Sequence, residues 1–228
     1  MSQSNFELDK KPQNQKQRKR GRPVGSKSSN VAGEVTRAKL VDVSLNLFSR
    51  RGFDGVSIGA VSEASGVAKG SITHHFPNKK HLYSAVLKVV ETGLREACHI
   101  AYDSIYSLEE RLANLVDGVF GWAHENEAQA RVMAFGLLGA SEKDQLPSEW
   151  ALTDHLESTI KLLEDGQAEG LLVDDCSPLT LLEAIFGLAI FNAIHKPVTQ
   201  LKGVDGTRRE GFIEEAQSLL KQSIFKGI

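Results

Sequence analysis

The sequence predicts an all-α protein with a basic N-terminal arm, a small helical module and a larger helical module. Apolar residues recur at helical spacing along most of the chain, and no segment alternates apolar and polar residues as a strand does. Residues 1–90 hold sixteen Lys and Arg against six Asp and Glu, whereas residues 91–228 hold eleven against twenty-three. Such asymmetry favours a module that binds polyanions joined to one that avoids them. We therefore expect domains at residues 1–30, 31–80 and 81–228.

The arm, residues 1–30, has few apolar side chains, and we expect it to be disordered when free. Its most distinctive segment is RKRGRP, in which Arg20, Gly21, Arg22 and Pro23 resemble the core of an AT-hook. A flat Gly-Arg-Pro backbone fits a narrow A·T minor groove, whose negative potential attracts arginine. Unspecific attraction to phosphate is the alternative.

Helix 1 is predicted over residues 38–53, where Ala38, Val41, Leu45 and Phe48 share one face and Gly52 stops the helix. Ser57 is an N-cap residue for a short second helix. This helix is followed by a tight turn, because the next glycine, Gly66, can adopt positive φ.

A third helix is predicted from Ala68 to His75, with Ile72 as its core residue. Its other side chains are small or polar, which suits a helix that enters a DNA major groove. Lys79 opens the fourth helix. The residues expected to contact DNA beyond the arm are Ser57, Lys69, Gly70, Ser71, Thr73, His74, His75 and Lys79. For Lys69 we expect base contact with phosphate as the alternative, and for His75 a phosphate or structural role is as plausible as readout.

These segments resemble the DNA-binding domain of the tetracycline-repressor (TetR) family. The resemblance rests on residues 38–53, on S-I-x-x-V-x-x-x-S-G-V, on G-S-I-x-H-H-F and on P-N-K-K-H-L. It implies two helix-turn-helix heads in a homodimer on a near-palindromic operator, and a C-terminal domain that dimerises and binds a small-molecule effector. The family usually has Tyr, a phosphate contact, where Thr73 stands.

The fourth helix is predicted over residues 79–104, and five more follow. Their expected ranges are 108–126, 127–141, 147–166, 178–195 and 206–223. The two helices around residues 152–163 and 179–194 have broad apolar faces. These faces predict a four-helix dimer interface, with core helices of a monomer as the alternative. The expected interface residues are Leu156, Leu163, Leu182, Ile185, Phe186 and Ile190.

Aromatic and polar side chains of the larger module are candidates for an effector pocket. We expect Tyr102, Trp122, His124, Arg131 and Phe135 to line it.

Other classes of protein fit the sequence poorly. Gly55-Val56-Ser57-Ile58-Gly59 matches the hydrolase G-x-S-x-G pattern but lacks the preceding strand, so we expect no enzyme and no catalytic residue. His and Cys spacing predicts no metal site, and we expect no cofactor. The longest apolar run is too short and polar to span a membrane, and the two cysteines without a leader favour the cytoplasm. An architectural DNA-binding protein without effector control is the alternative function.

Overall fold

The structure is a computed structural model that describes residues 27–139, 152–195 and 209–226. Side chains are described for residues 31–137, 155–195 and 214–226. In these ranges the regular elements are helices, and the β-type pairing is a single antiparallel bridge between Leu172 and Phe225, so the predicted all-α fold is confirmed. The chain divides into two compact units, Met1–Val35 and Thr36–Ile228. The described part of the first unit is helical.

The first helix, α1 (Lys27–Arg51), begins well before the predicted start at residue 38. The last four residues of the predicted arm are therefore helical, and Arg20, Gly21, Arg22 and Pro23 lie outside the described residues. The early start escaped prediction because side chains 31–39 are mostly exposed and form no apolar stripe. The predicted end is confirmed, since Gly52 has φ of 65° and its N–H donates to the Phe48 carbonyl at 2.9 Å.

The helix-turn-helix consists of α2 (Ile58–Ser65) and α3 (Lys69–His75). Gly66 joins them at φ of 69°, as the sequence predicts. Ile72 of α3 is fully buried, which fixes the helix to the core through one side chain.

Helix α4 (Lys79–Ala97) begins at the side chain of Asn78, which accepts from the His81 N–H at 3.1 Å. It ends seven residues before the predicted end at residue 104, and a 3₁₀ turn, Ile100–Tyr102, follows. Contacts with the next helix explain the early end. The Ala101 N–H donates to Asn114 Oδ1 at 3.0 Å, and Arg111 Nε donates to the Ala101 carbonyl at 3.1 Å.

The larger module continues with five helices in the described ranges. They are α5 (Leu108–Glu125), α6 (Glu127–Gly139), α7 (Leu152–Ala168), α8 (Pro178–Ile194) and α9 (Arg209–Ile224). Helix α5 is central, since it contacts α4, α6, α7, α8 and α9. Ser107 and Glu110 start it with a reciprocal capping box. The predicted extensions of α6 to residue 141 and of α7 from residue 147 lie outside the described residues.

Candidate functional site

The start of α2 gathers groups that bind anions. Ser57 Oγ accepts from the Ala60 N–H at 3.1 Å and caps the helix. A Cβ added to Gly59 would lie 3.4 Å from Ser57 Oγ and also 3.4 Å from Lys69 Nζ. The hydroxyl and the ammonium group therefore converge on the N-terminus of α2, where backbone N–H groups and the helix dipole favour a phosphate. For Lys69 this geometry favours the phosphate alternative over the expected base contact.

The outer face of α3 is open and polar. Gly70, Ser71, Thr73 and His74 are exposed, and the space beside Gly70 is empty to 4 Å, so the backbone can approach a groove closely. Thr73 Oγ1 donates to the Gly70 carbonyl at 3.0 Å, which turns its hydroxyl proton inward and leaves the oxygen as an acceptor.

The end of α3 is fixed by the core. His75 is half-buried beside His74, with ring centroids 5.8 Å apart, which suits a supporting role or a phosphate contact better than base readout. Phe76 follows and is 2% exposed, and the Arg37 guanidinium lies 4.9 Å from the centre of its ring. Burial of Phe76 thereby anchors the C-terminal end of α3.

Two serines that the sequence analysis missed hold the turn between α2 and α3. Ser62 Oγ donates to the Val67 carbonyl at 2.7 Å, and the Val67 N–H donates to Ser65 Oγ at 3.2 Å. With Gly66 at positive φ, these bonds fix the angle between the two helices. A serine next to the turn glycine was the available signal, since such residues commonly bond to nearby backbone.

Lys79, an expected phosphate contact, also has a structural role. Its Nζ donates to the Phe53 carbonyl at 3.0 Å and lies 4.1 Å from the centre of the Phe53 ring. The side chain thus ties the start of α4 to the segment between α1 and α2. An ammonium group has three donors, so contact with a phosphate is compatible with this arrangement.

One expected effector residue, Tyr102, belongs to a buried polar cluster with His155 and Thr159 of α7. Thr159 Oγ1 donates to the His155 carbonyl at 2.9 Å, which uses its only proton. The Tyr102 hydroxyl must then donate to Thr159 Oγ1, at 2.7 Å, and accept from His155 Nε2, at 3.2 Å. The hydrogen bonds therefore assign the proton of the neutral imidazole to Nε2.

Charges on α4 influence this cluster. The pKa of His155 is lowered to about 4, mainly by burial and also by the positive charge of Arg95, while Glu91 opposes both effects. Burial raises the pKa of the Tyr102 hydroxyl far above its usual range. Glu91 is itself 3% exposed and accepts from Lys88 at 2.7 Å and Arg95 at 3.3 Å. The cluster thus remains uncharged at neutral pH, beside a paired carboxylate.

The other four expected effector residues have their own separate contacts or are exposed. Trp122 is 2% exposed and its Nε1 donates to Gln129 Oε1 at 3.2 Å, while His124 is exposed. Arg131 donates to Glu127 at 2.9 Å and to the Ile194 carbonyl at 2.9 Å, so it caps the end of α8.

Phe135 is the most exposed of the expected effector residues that pack on a neighbouring element. It is 42% exposed, and a Cβ on Gly52 would lie 3.4 Å from its ring. It therefore packs on the glycine that ends α1. Helical spacing alone did not show which face of α6 it occupies.

The expected dimer residues lie mainly in the core of one subunit. The structure buries Leu163, Leu182, Ile185, Phe186 and Ile190 within one subunit, so they are core residues, and Leu156 is half-buried. The outer face of α8 instead presents Leu179, at 51% exposure, and Phe191, at 61%. Apolar residues occupy most of the circumference of α8, so the sequence alone does not reveal which face of the helix points inward.

A metal centre and a membrane span are the remaining kinds of site to consider. Within the described ranges, no group of three His, Cys, Asp or Glu side chains is arranged to hold a metal ion. None of the helices described is long and apolar enough to cross a membrane.

Comparison with known proteins places the best-matched segment on the helix-turn-helix. Residues 40–86 match the family model of bacterial regulatory proteins of the tetR family. The HTH-type transcriptional regulator AcrR of Shigella flexneri is 32% identical over 71 residues, which are 31% of this chain and 33% of that protein. The chain thus matches about a third of AcrR's length.

Similarity beyond the helix-turn-helix is weaker in sequence and extensive in fold. The HTH-type transcriptional repressor KstR2 of Rhodococcus jostii is 23% identical over 148 residues, 54% of this chain and 72% of that protein. The crystal structure of AibR in complex with isovaleryl coenzyme A and operator DNA superposes with a TM-score of 0.61, over 82% of this chain and 99% of that chain, at 16% identity. The last likeness establishes a shared fold over both modules.

Proposed function

Because this chain belongs to the TetR family of transcriptional regulators, we propose that it is a homodimeric repressor that binds a near-palindromic operator and is released by a small molecule. The observation that carries the proposal is the α2–α3 pair. Its recognition helix is anchored by one buried side chain, Ile72, and presents an open polar face. The proposed activity is binding and its regulation, without a chemical step.

The role proposed for each domain follows from its charge. We propose residues 31–80 as the DNA-binding module, residues 81–228 as the effector and dimerisation module, and residues 1–30 as an arm that enters an A·T minor groove. The excess of acidic residues after position 90 keeps the larger module away from phosphate. A regulator of this kind acts where the chromosome lies, so the cytoplasm is the proposed location.

The proposed dimer contact is the outer face of α8. Leu179, Gly187 and Phe191 are exposed on it, with half-buried Ala184 and Leu188 beside them. The space around Gly187 is empty to 4 Å, so a second helix can approach its backbone closely. Apolar area of this kind supports a self-complementary helix pair related by a two-fold axis.

The proposed effector binds in the larger module. This module holds more helices than dimerisation requires, and AibR, which shares the fold, was crystallised with isovaleryl coenzyme A and operator DNA. Tyr102 is the best supported of the expected contacts, because it belongs to a polar cluster inside an otherwise apolar core. An effector releases DNA only if it binds more tightly to a conformation in which the distance between the two helix-turn-helix heads no longer matches the operator half-sites.

Binding-site selection with the purified protein tests the DNA proposal. We expect an enriched inverted repeat for the wild type. Lys69→Ala should weaken binding to all selected sequences alike if the ammonium contacts phosphate, and should relax one base position per half-site if it reads a base. Lys161 is an exposed lysine on α7 that pairs with Asp165, and Lys161→Ala is the matched control. It should change neither the affinity for DNA nor the base preference at any position. Failure to enrich any sequence contradicts a specific regulator and leaves the architectural alternative.

A further inference from the structure

A groove separates α1 from the first half of α4. The two helices touch where the Phe48 and Tyr83 rings meet edge to face, with centroids 4.9 Å apart. Next to this pair the helices separate and leave a cavity of about 370 Å³. A volume of this size is within the range of small-molecule sites.

The walls of the groove are mainly apolar. Small side chains, Ala38 on α1 and Ala85 on α4, open the space between the helices. Val41 and Leu45 are 7% and 9% exposed and line it as well, and Val89 is 39% exposed. An apolar ligand would therefore remove exposed valine surface from water, which favours binding.

Three charged side chains line the groove, and they differ in availability. Lys88 is paired with the buried carboxylate of Glu91 at 2.7 Å. Arg37 faces the Phe76 ring, and none of the described residues forms an ion pair with it. Asp42 lies five residues further along α1, about 7.5 Å along the helix axis, so an anion held by Arg37 is separated from it.

We propose that this groove is a binding site for a compact amphipathic carboxylate. The ligand's carboxylate pairs with the Arg37 guanidinium, whose planar donors match a carboxylate. Its apolar body lies along Val41, Leu45 and Val89. The site is separate from the effector site proposed around Tyr102, because Tyr102, His155 and Thr159 do not line it.

Methyl NMR of the full-length protein with octanoate and 1-octanol as probes tests the site. We expect octanoate to shift the methyl resonances of Val41, Leu45 and Val89. Arg37→Gln should weaken octanoate binding about tenfold, the effect of removing one charge-assisted hydrogen bond, and leave octanol binding unchanged. Arg50→Gln, on the exposed last turn of α1, is the matched control and should leave both affinities unaltered.

A second variant tests the cavity itself. Ala85→Leu fills the groove and should abolish the octanoate shifts, with thermal unfolding confirming that the variant is folded. The proposal is overturned if octanoate shifts only methyl groups outside α1 and α4, if Arg37→Gln binds octanoate normally, or if octylamine binds as well as octanoate, which would assign the polar contact to Asp42. Operator binding without octanoate, measured by fluorescence anisotropy, tests the repressor proposal separately.

Discussion

His155 is a buried base that the fold keeps neutral, and its Nε2–H donates a hydrogen bond to the Tyr102 hydroxyl. Because its pKa falls from about 6.5 to about 4 on folding, the unfolded chain binds a proton first as the pH decreases. The associated stability is complete above pH 6.5 and is lost as the pH falls to 4. This pKa shift corresponds to about 3 kcal/mol of unfolding free energy between the two pH limits.

The change that isolates this effect is His155→Gln, which removes the titrating group and keeps a hydrogen-bonding side chain. Urea unfolding at pH 7 and pH 4.5 should show a smaller loss of unfolding free energy on acidification in the variant than in the wild type. His99→Gln, at an exposed histidine, serves as the control and should retain the wild-type loss. Equal losses in all three proteins would mean that His155 is not held neutral by the fold.

Helix α5 crosses the end of α4 at a glycine. A Cβ on Gly118 would lie 2.6 Å from the Ala97 carbonyl oxygen and 2.9 Å from Cys98 Sγ, so the backbone of α4 must shift to admit it. Gly118→Ala should therefore reduce the unfolding free energy by about 1–3 kcal/mol. Gly121→Ala, in the same helix with empty space around it, should instead raise it by up to about 1 kcal/mol. Thermal and urea unfolding measure both, and a neutral Gly118→Ala would argue against the close crossing.

The outer face of α8 offers a second test at the level of elements. Phe191→Glu places a charge at the proposed interface, where an unpaired buried charge costs several kcal/mol. We expect the variant to sediment as a monomer and to lose operator affinity, because one head alone contacts one half-site. Ile105→Glu, at a residue 80% exposed outside α8, is the control and should behave as the wild type. A dimeric Phe191→Glu variant would locate the contact on another face.

At the scale of the whole molecule, the basic residues 1–90 and the acidic residues 91–228 predict a strong dependence of operator binding on salt concentration. Removing residues 1–26 keeps the whole of α1 and deletes the predicted AT-hook core. The plot of log affinity against log salt concentration should become less steep, by about 0.9 for each phosphate that the arm neutralises. The decrease in affinity should be greatest on operators with A·T-rich flanks. An unchanged slope would show that the arm does not contact DNA.

The sequence by itself determined the features that depend on local chemistry. Gly52, Ser57 and Gly66 mark helix ends through a side-chain cap and positive φ, so the helix-turn-helix and its exposed polar residues could be read in order along the chain. The division of charge likewise required no structure.

Only the tertiary structure decided how distant side chains meet. Helix α4 stops at Ala97 because Asn114 and Arg111 bind the next turn, and Lys69 reaches across to Gly59. Apolar residues occupy most of the circumference of α8, so its sequence could not show that Ile185 points inward and Phe191 outward. Periodicity specifies which residues share a face of one helix, whereas the partner of that face is fixed by packing between segments that are far apart in sequence.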